Sequence, residues 1–290
     1  MTQEKQKILL IGASGFLGSS LLKNLPSDQI MVEGVCRDRF DLAKPIFSFC
    51  EKYFEDHEYQ YVIICAAMAD VEKCFQQQKR SHQINVKGVQ ELLNFSRKCN
   101  ATPVFFSSDY VFAGQGNLYR EDDPREPNTV YGHQKLEIEK YLEKNFENFL
   151  IFRTSKLMSK DAHPKNILLP LLQSISESRP IYCFEDQWLN PVFVEDIAEV
   201  LKLAFQKKLR GTFHLGTERI FSRAELGRFL AVSLGCDPKL IQSSRMSDMN
   251  FSETRPRYNT LNCDKVKTQL CFRFHEVEDA IFDIQRMTSL

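Results

Sequence analysis

The chain has 290 residues, 43% hydrophobic and 26% charged, which suits one large domain or two small ones around a substantial core. With only 12 glycines and 11 prolines, collagen-like, fibrous and disordered classes are excluded. Lysine plus arginine and aspartate plus glutamate each total 38, so the formal net charge is zero and the basic excess expected of a nucleic-acid or anionic-membrane partner is missing.

In chain order, residues 7–11 predict a strand, 16–24 a helix, 30–36 a second strand, and 45–56 a helix with apolar Ile46, Phe47, Phe49, Cys50, Tyr53 and Phe54. Next come a strand at 61–65, a long helix over 75–99, a strand at 103–107, a helix over 130–145 and a strand at 149–152. Apolar strands without polar alternation, joined by helices, predict an α/β fold with a doubly wound parallel sheet of Rossmann type. Beyond residue 153 the pattern loosens. Helical runs at 166–176, 194–206, 223–234 and 276–287 alternate with short extended pieces such as 211–215. The expected division is a dinucleotide-binding domain over 1–153 and, over 154–290, mainly a smaller C-terminal α/β substrate lobe, with the ligand cleft between them.

No apolar run approaches the ~20 residues of a membrane-spanning helix. The first one, at 8–11, follows polar residues and meets Gly12 at once, unlike a signal peptide. Nine cysteines at irregular positions, without a CxxC, predict reduced thiols and a cytoplasmic protein. Six scattered histidines offer no pair at ligand spacing, so no metal is assigned.

The first strand runs into Gly12-Ala-Ser-Gly15-Phe-Leu-Gly18 and then a helix. Glycines there permit a tight turn and let backbone N–H groups approach a pyrophosphate at a helix N-terminus. Gly12, Ser14, Gly15, Phe16, Leu17 and Gly18 are therefore candidate cofactor contacts, although the GxxGxxG spacing also serves as a plain turn. The second strand closes Gly34-Val35-Cys36-Arg37, with no acid for a ribose 2′-hydroxyl. Arg37 suits a 2′-phosphate, which favours NADP(H) over NAD(H). A solvated Arg37 neutralised by Asp38 is the alternative.

Ser107 and Ser108 end the fourth strand, and Tyr131 and Lys135 lie four apart at the start of a helix, on one face. An ammonium beside a phenol favours the phenolate, so such a pair can give or take a proton while Ser108 holds the substrate oxygen. An isolated YxxxK is also a common solvated helix face. The order of glycine loop, strand-end serine and YxxxK is far more specific.

These residues resemble the extended short-chain dehydrogenase/reductase superfamily, and within it the dTDP-4-dehydrorhamnose reductase family, over almost the whole chain. Further marks are Cys65-Ala-Ala-Met-Ala-Asp-Val-Glu-Lys73, Asn85-Val, Ser107-Ser-Asp-Tyr-Val-Phe-Ala-Gly114, Tyr119-Arg-Glu-Asp-Asp-Pro124 and Val130-Tyr-Gly-His-Gln-Lys-Leu136. In the second half stand Phe152-Arg-Thr-Ser155, Asn190-Pro191, Gly211-Thr-Phe-His-Leu215 and Arg255-Pro256. The resemblance implies an NADPH-dependent reductase of a nucleotide-linked 4-keto-6-deoxy sugar. In it Tyr131 is the general acid, Ser108 polarises the carbonyl, and Lys135 holds the nicotinamide ribose and tunes Tyr131. It places Ala66, Ala67 and Met68 under the dinucleotide and Asp41 and Leu42 beside the adenine, and it counts Ser107 and the supporting Asn85 among the cofactor-binding residues. Asp109, Phe112, Lys156, Asn190 and Arg255 are implied near the sugar, and a homodimer is expected.

For Asp41 a helix cap is an equal reading, and Asn85 is otherwise an ordinary polar helix residue. Two departures stand out: Lys156 where the family often has an aromatic residue, and Ala113 where it often has an acid. An epimerase remains an alternative, as does an NADP-binding regulatory subunit like the methionine adenosyltransferase beta subunit, which shares much of the pattern. Tyr110 stands where a dehydratase would carry its second acid, which weighs against dehydration.

Overall fold

A computed structural model of the chain describes residues 5–55 and 58–286. Asp56 and Met287, the predicted ends of two helices, lie outside the described residues. In chain order come β1 (Gln6–Ile11), α1 (Phe16–Asn24), β2 (Ile30–Val35), α2 (Phe47–Glu55) and β3 (Tyr61–Ile64). Then follow α3 (Val71–Gln76), α4 (Gln78–His82), a π-helical turn (Gln83–Gly88), α5 (Val89–Lys98), β4 (Thr102–Ser108), α6 (Val130–Asn145) and β5 (Leu150–Thr154). The second half begins with β6 (Leu157–Met158), α7 (Leu169–Ser176), β7 (Ile181–Phe184), β8 (Trp188–Leu189), β9 (Val192–Phe193), α8 (Val194–Gln206) and β10 (Gly211–Leu215). It ends with β11 (Phe221–Ser222), α9 (Arg223–Ser233), β12 (Ile241–Ser244), β13 (Tyr258–Asn259), α10 (Asp264–Leu270) and α11 (Ile281–Arg286). Among the described residues no helix is long and apolar enough to cross a membrane.

Six strands of the described residues pair in parallel in the order β10-β5-β4-β3-β1-β2. The strands read as continuous apolar runs because both faces are covered. Ile8, Leu10, Ile63 and Phe106 point to one face, against Leu17 and Leu21 of α1 and Ile197, Leu201 and Phe205 of α8. Leu9, Ile11, Ile64 and Phe105 point to the other, against Leu92 and Leu93 of α5 and Ile138 and Leu142 of α6. A third apolar cluster, with Leu168, Leu172, Phe193, Phe221 and Leu230, holds the C-terminal lobe together. The strand order reverses between β1 and β3, so chain segments leave their C-terminal ends in opposite directions and open a crevice there.

Two expectations change. The helix predicted over 75–99 begins earlier, at Val71, where Asp70 caps it by accepting from the Lys73 N–H at 3.0 Å. It is also interrupted: α3, α4, the π-helical turn and α5 follow one another, and the interruption lets Asn85 turn inward. Residues 194–215, assigned from sequence to the C-terminal lobe, partly rejoin the first layer: β10 pairs with β5 in parallel and α8 covers the sheet beside α1. Burial of the apolar face of α8 is the physical reason, and no local pattern in residues 211–215 announces it.

Helix α6 starts at Thr129, whose hydroxyl accepts from the Gly132 N–H at 3.1 Å. Gly132 packs so tightly that a Cβ there would stand 2.2 Å from the Tyr110 carbonyl oxygen. Gly132→Ala is therefore expected to displace the start of α6 and cost on the order of 1–3 kcal/mol. Urea denaturation checks this, and an unchanged midpoint would refute the close contact.

Candidate active site

The crevice is a cleft of about 560 Å³ lined by both halves of the chain. The turn from β1 to α1 forms one wall. Gly12 has φ +89°, and a Cβ on it would meet the Ala66 nitrogen at 2.6 Å. A Cβ on Gly18 would lie 2.1 Å from the Gly12 carbonyl oxygen, so the helix can approach the strand only as glycine. Gly15 is the N-cap of α1 and no side chain caps it, so the first N–H groups remain for a ligand beside Ser14, Phe16 and Leu17 in the cleft wall. An anionic diphosphate fits this donor set.

A part of this wall was missed by sequence reasoning. The His163 ring stacks on Phe16, with centroids 4.5 Å apart, and Lys165 lines the same cleft. They come from the segment after β6, far away in sequence, and no local motif marks them.

Arg37, Asp41 and Leu42 also line the cleft. Arg37 Nε is 3.5 Å from Asp41 Oδ2, and the guanidinium side chain is 65% exposed. Asp41 has a second task, accepting from the Ala43 N–H at 3.0 Å to close the turn before α2. Arg39 and Lys44 join Arg37 around an adjoining hollow of about 520 Å³. Leu42 is packed against the π-helical turn, where a Cβ on Gly88 would lie 2.5 Å from the Leu42 oxygen.

Ala66, Ala67 and Met68 form the floor after β3. Asn85 holds this floor: its Oδ1 accepts from the Met68 N–H at 2.8 Å and its Nδ2 donates to the Met68 oxygen at 2.9 Å. The same amide donates to Gln134 Oε1 at 2.7 Å, and Gln134 Nε2 donates to Ser81 Oγ at 2.8 Å. Asn85 is thus a buried brace between the floor and α6, reached through the π-helical turn. It does not itself line the cleft.

Opposite the floor, β4 ends at Ser108, in register with Thr154 of β5. Ser107, Ser108, Asp109, Tyr131 and Lys135 all reach the cleft. Ser108 Oγ donates to Asp109 Oδ1 at 2.7 Å and accepts from the Tyr110 N–H at 3.2 Å. Burial pushes the Asp109 carboxyl up, while Ser108, Lys156, Asn259 and Ser155 oppose the shift. Burial and the neighbouring Asp109 push the Tyr131 phenol well above its ordinary range, against a smaller opposing effect of the Ser108 hydroxyl. The Tyr110 ring meets Tyr131 edge-on at 5.9 Å and lines the cleft, a place the sequence reading had not given it.

The net shift of Tyr131 is upward, because burial and Asp109 outweigh what a neighbouring ammonium would do. Lys135 Nζ donates to the Phe106 oxygen at 2.8 Å and sits 4.6 Å over the Phe105 ring, 5.7 Å from the Tyr131 ring centroid. Burial lowers this amine from 10.5 to about 8. Burial thus holds Tyr131 protonated.

Phe112, Asn190 and Arg255 do not line the cleft. Phe112 is fully buried, stacked on Tyr119 at 4.3 Å with the Arg153 guanidinium 5.0 Å over its ring. Asn190 ties the lobe's backbone, donating to the Thr217 and Leu261 oxygens at 3.1 and 2.9 Å. Arg255 pairs with Glu72 at 3.1 Å. Lys156 does line the cleft, with Nζ 5.7 Å over the Tyr110 ring.

The family model described as the RmlD substrate binding domain matches residues 6–288. The chain belongs to this family. A dTDP-4-dehydrorhamnose reductase of Streptomyces griseus is 28% identical to it, over 89% of this chain and 86% of that protein. Methionine adenosyltransferase 2 subunit beta of Pongo abelii is 24% identical, over 91% of this chain and 82% of that protein. Among solved structures, a dTDP-4-dehydrorhamnose reductase of Bacillus anthracis, in complex with NADP, superposes with a TM-score of 0.86 over 98% of both chains at 20% identity. That likeness shows a shared fold, the α/β architecture built on the six-stranded parallel sheet.

A pH dependence follows for the cofactor-free protein. Below about 8, Lys135 is charged in both folded and unfolded states. Between about 8 and 10.5 the unfolded chain holds the extra proton, so wild-type stability gains with rising pH. Lys135→Met lacks this gain. Urea midpoints of the two proteins should converge or cross in wild type's favour across that window, and a constant difference would refute the lowered amine.

Proposed function

We propose that the protein is an NADPH-dependent reductase acting on the C4 carbonyl of a nucleotide-linked 4-keto-6-deoxy sugar. The observation that carries this reading is the meeting of Ser108, Tyr131 and Lys135 beside an uncapped glycine turn, with the phenol held protonated. When bound, NADPH supplies the hydride to C4. Tyr131 Oη gives its proton to the developing alkoxide oxygen, and the Ser108 hydroxyl, rotated from Asp109, donates to the same oxygen. The phenolate left behind lies beside the Lys135 ammonium and regains a proton from water. Because burial disfavours that phenolate in the resting site, proton transfer is driven toward the product alcohol.

Arg37, Arg39 and Lys44 suit a ribose 2′-phosphate, and Lys165 the cofactor's diphosphate. Lys156 replaces an aromatic contact with a cation on the sugar side. In this reading the sheet layer binds cofactor and the C-terminal lobe binds the nucleotide sugar. A homodimer in the cytoplasm completes it, in keeping with nine free thiols.

The test is loss of reduced-nicotinamide absorbance with freshly generated dTDP-4-keto-6-deoxy sugars. Tyr131→Phe should lower kcat by about 10²–10⁴-fold while NADPH binding persists; full turnover by the variant would remove Tyr131 as the acid. NADPH binding without turnover by wild type, together with capture of a methionine adenosyltransferase catalytic subunit, would replace the reductase reading with the regulatory one. Arg37→Ala should raise KM for NADPH by roughly tenfold and leave KM for NADH nearly unchanged. Equal losses would refute the phosphate contact.

A further inference from the structure

Tyr131, Lys135 and Glu139 follow one another at intervals of four along α6 and so share a helix face. The first two reach the cleft. Glu139 is fully buried behind them, on the side of α6 that meets β5. It is gripped from β5: Arg153 Nε donates to Oε1 at 2.9 Å and Nη2 to Oε2 at 2.8 Å, a two-bond fork. Arg125 Nη1 adds a third bond at 3.0 Å.

Arg153 is itself 1% exposed and lies in register with Ser107. Its Nη1 donates to the Glu121 oxygen at 3.1 Å and stands 3.1 Å from His214 Nε2 on β10. His214 is pushed down to about 3 by burial and the Arg153 charge, so it is neutral at physiological pH. Its Nδ1–H donates to the Tyr119 oxygen at 3.0 Å, which leaves Nε2 to accept from Arg153.

Stability alone does not explain such a cluster, since a buried ion pair is often matched or exceeded by apolar residues of the same volume. Its geometry explains more. The fork allows α6 one register against β5, and with it one placement of Tyr131 and Lys135 against Ser108. Its charge matters as well. Facing Lys135 are Cys65 after β3, Cys74 on α3, and Tyr131 and Glu139 on its own helix. Burial pushes both thiols up, Cys74 to about 11, and the phenol is protonated, so Glu139 is the anion among them at neutral pH. Burial opposes that charge on Glu139, but Arg153, Ser107 and Arg125 hold its carboxyl below the usual range.

We propose that Glu139 is a positioning residue for the reaction, locking the register of α6 through Arg153 and keeping Lys135 cationic beside Tyr131. Its catalytic consequence rests on the reductase reading, whereas its effect on Lys135 does not.

The test therefore begins without substrate or cofactor. Lys135 titration is followed by pH-dependent acetylation and mass spectrometry in wild type, Glu139→Gln, Glu139→Asp and Arg125→Met. Glu139→Gln should move the midpoint down by about one pH unit, Glu139→Asp should keep it near wild type, and Arg125→Met should move it up. Arg125 is at the partly exposed outer end of the cluster, 23% accessible, so this variant tests the charge even where Glu139→Gln does not fold. Midpoints that stay fixed in every folded variant overturn the proposal. With substrate, the alkaline fall of kcat should move to lower pH in Glu139→Gln and return in Glu139→Asp. A uniform loss at all pH values would mean a structural role alone, and it too overturns the proposal. Wild type inactive on every sugar nucleotide would sink the reductase reading while leaving the titration result standing.

Discussion

The buried fork between Glu139 and Arg153 is the constraint around which the site is arranged. Neither charge could remain in the core alone, because an unpaired buried ion costs several kcal/mol, on the order of 3–5 when one partner is removed. Helix α6 must therefore meet β5 where the two side chains face each other. Arg153 extends the constraint through His214 to β10 and through Glu121 and Tyr119 to the loop after β4. A helix, two strands and a loop share one polar knot, and the cleft opens at its edge.

Burial, more than any single charge, sets the chemistry of that cleft. It pushes the Tyr131 phenol up and draws the Lys135 amine down. Both shifts favour the neutral form, as desolvation must for groups of either sign. The phenol is thereby kept in its protonated form. Asp109 reinforces the direction, since its carboxyl raises the phenol further.

The cofactor side is built differently, from backbone and from close approach. Gly12 and Gly18 leave no room for a Cβ, and Asn85 fixes both backbone groups of Met68. Here the protein presents N–H groups and a shaped floor, with Arg37, Arg39, Lys44 and Lys165 as cations around the rim. The His163–Phe16 stack joins the C-terminal half to the glycine turn, so the two halves of the chain close over one cleft.

Much of this was legible in the residues themselves. The apolar strands, the glycine turn, the strand-end serines and the YxxxK pair are local patterns, written within a few residues by the geometry of strands and helices. They determined the doubly wound sheet and the candidate catalytic group. Where partners lie far apart in the chain, local pattern was silent or misleading. Phe112 and Asn190 sit in motif-like stretches yet serve the core and the lobe's backbone, because burial is decided by what packs against a residue. The break in the long helix, the return of β10 to the sheet, the reach of Lys165 and the sign of the Tyr131 shift all depend on such distant contacts. The sequence alone therefore determined which chemical groups are present and which secondary elements carry them. Only the tertiary structure decided which are desolvated, which are paired and which face the cleft, because desolvation and pairing are properties of the packed whole.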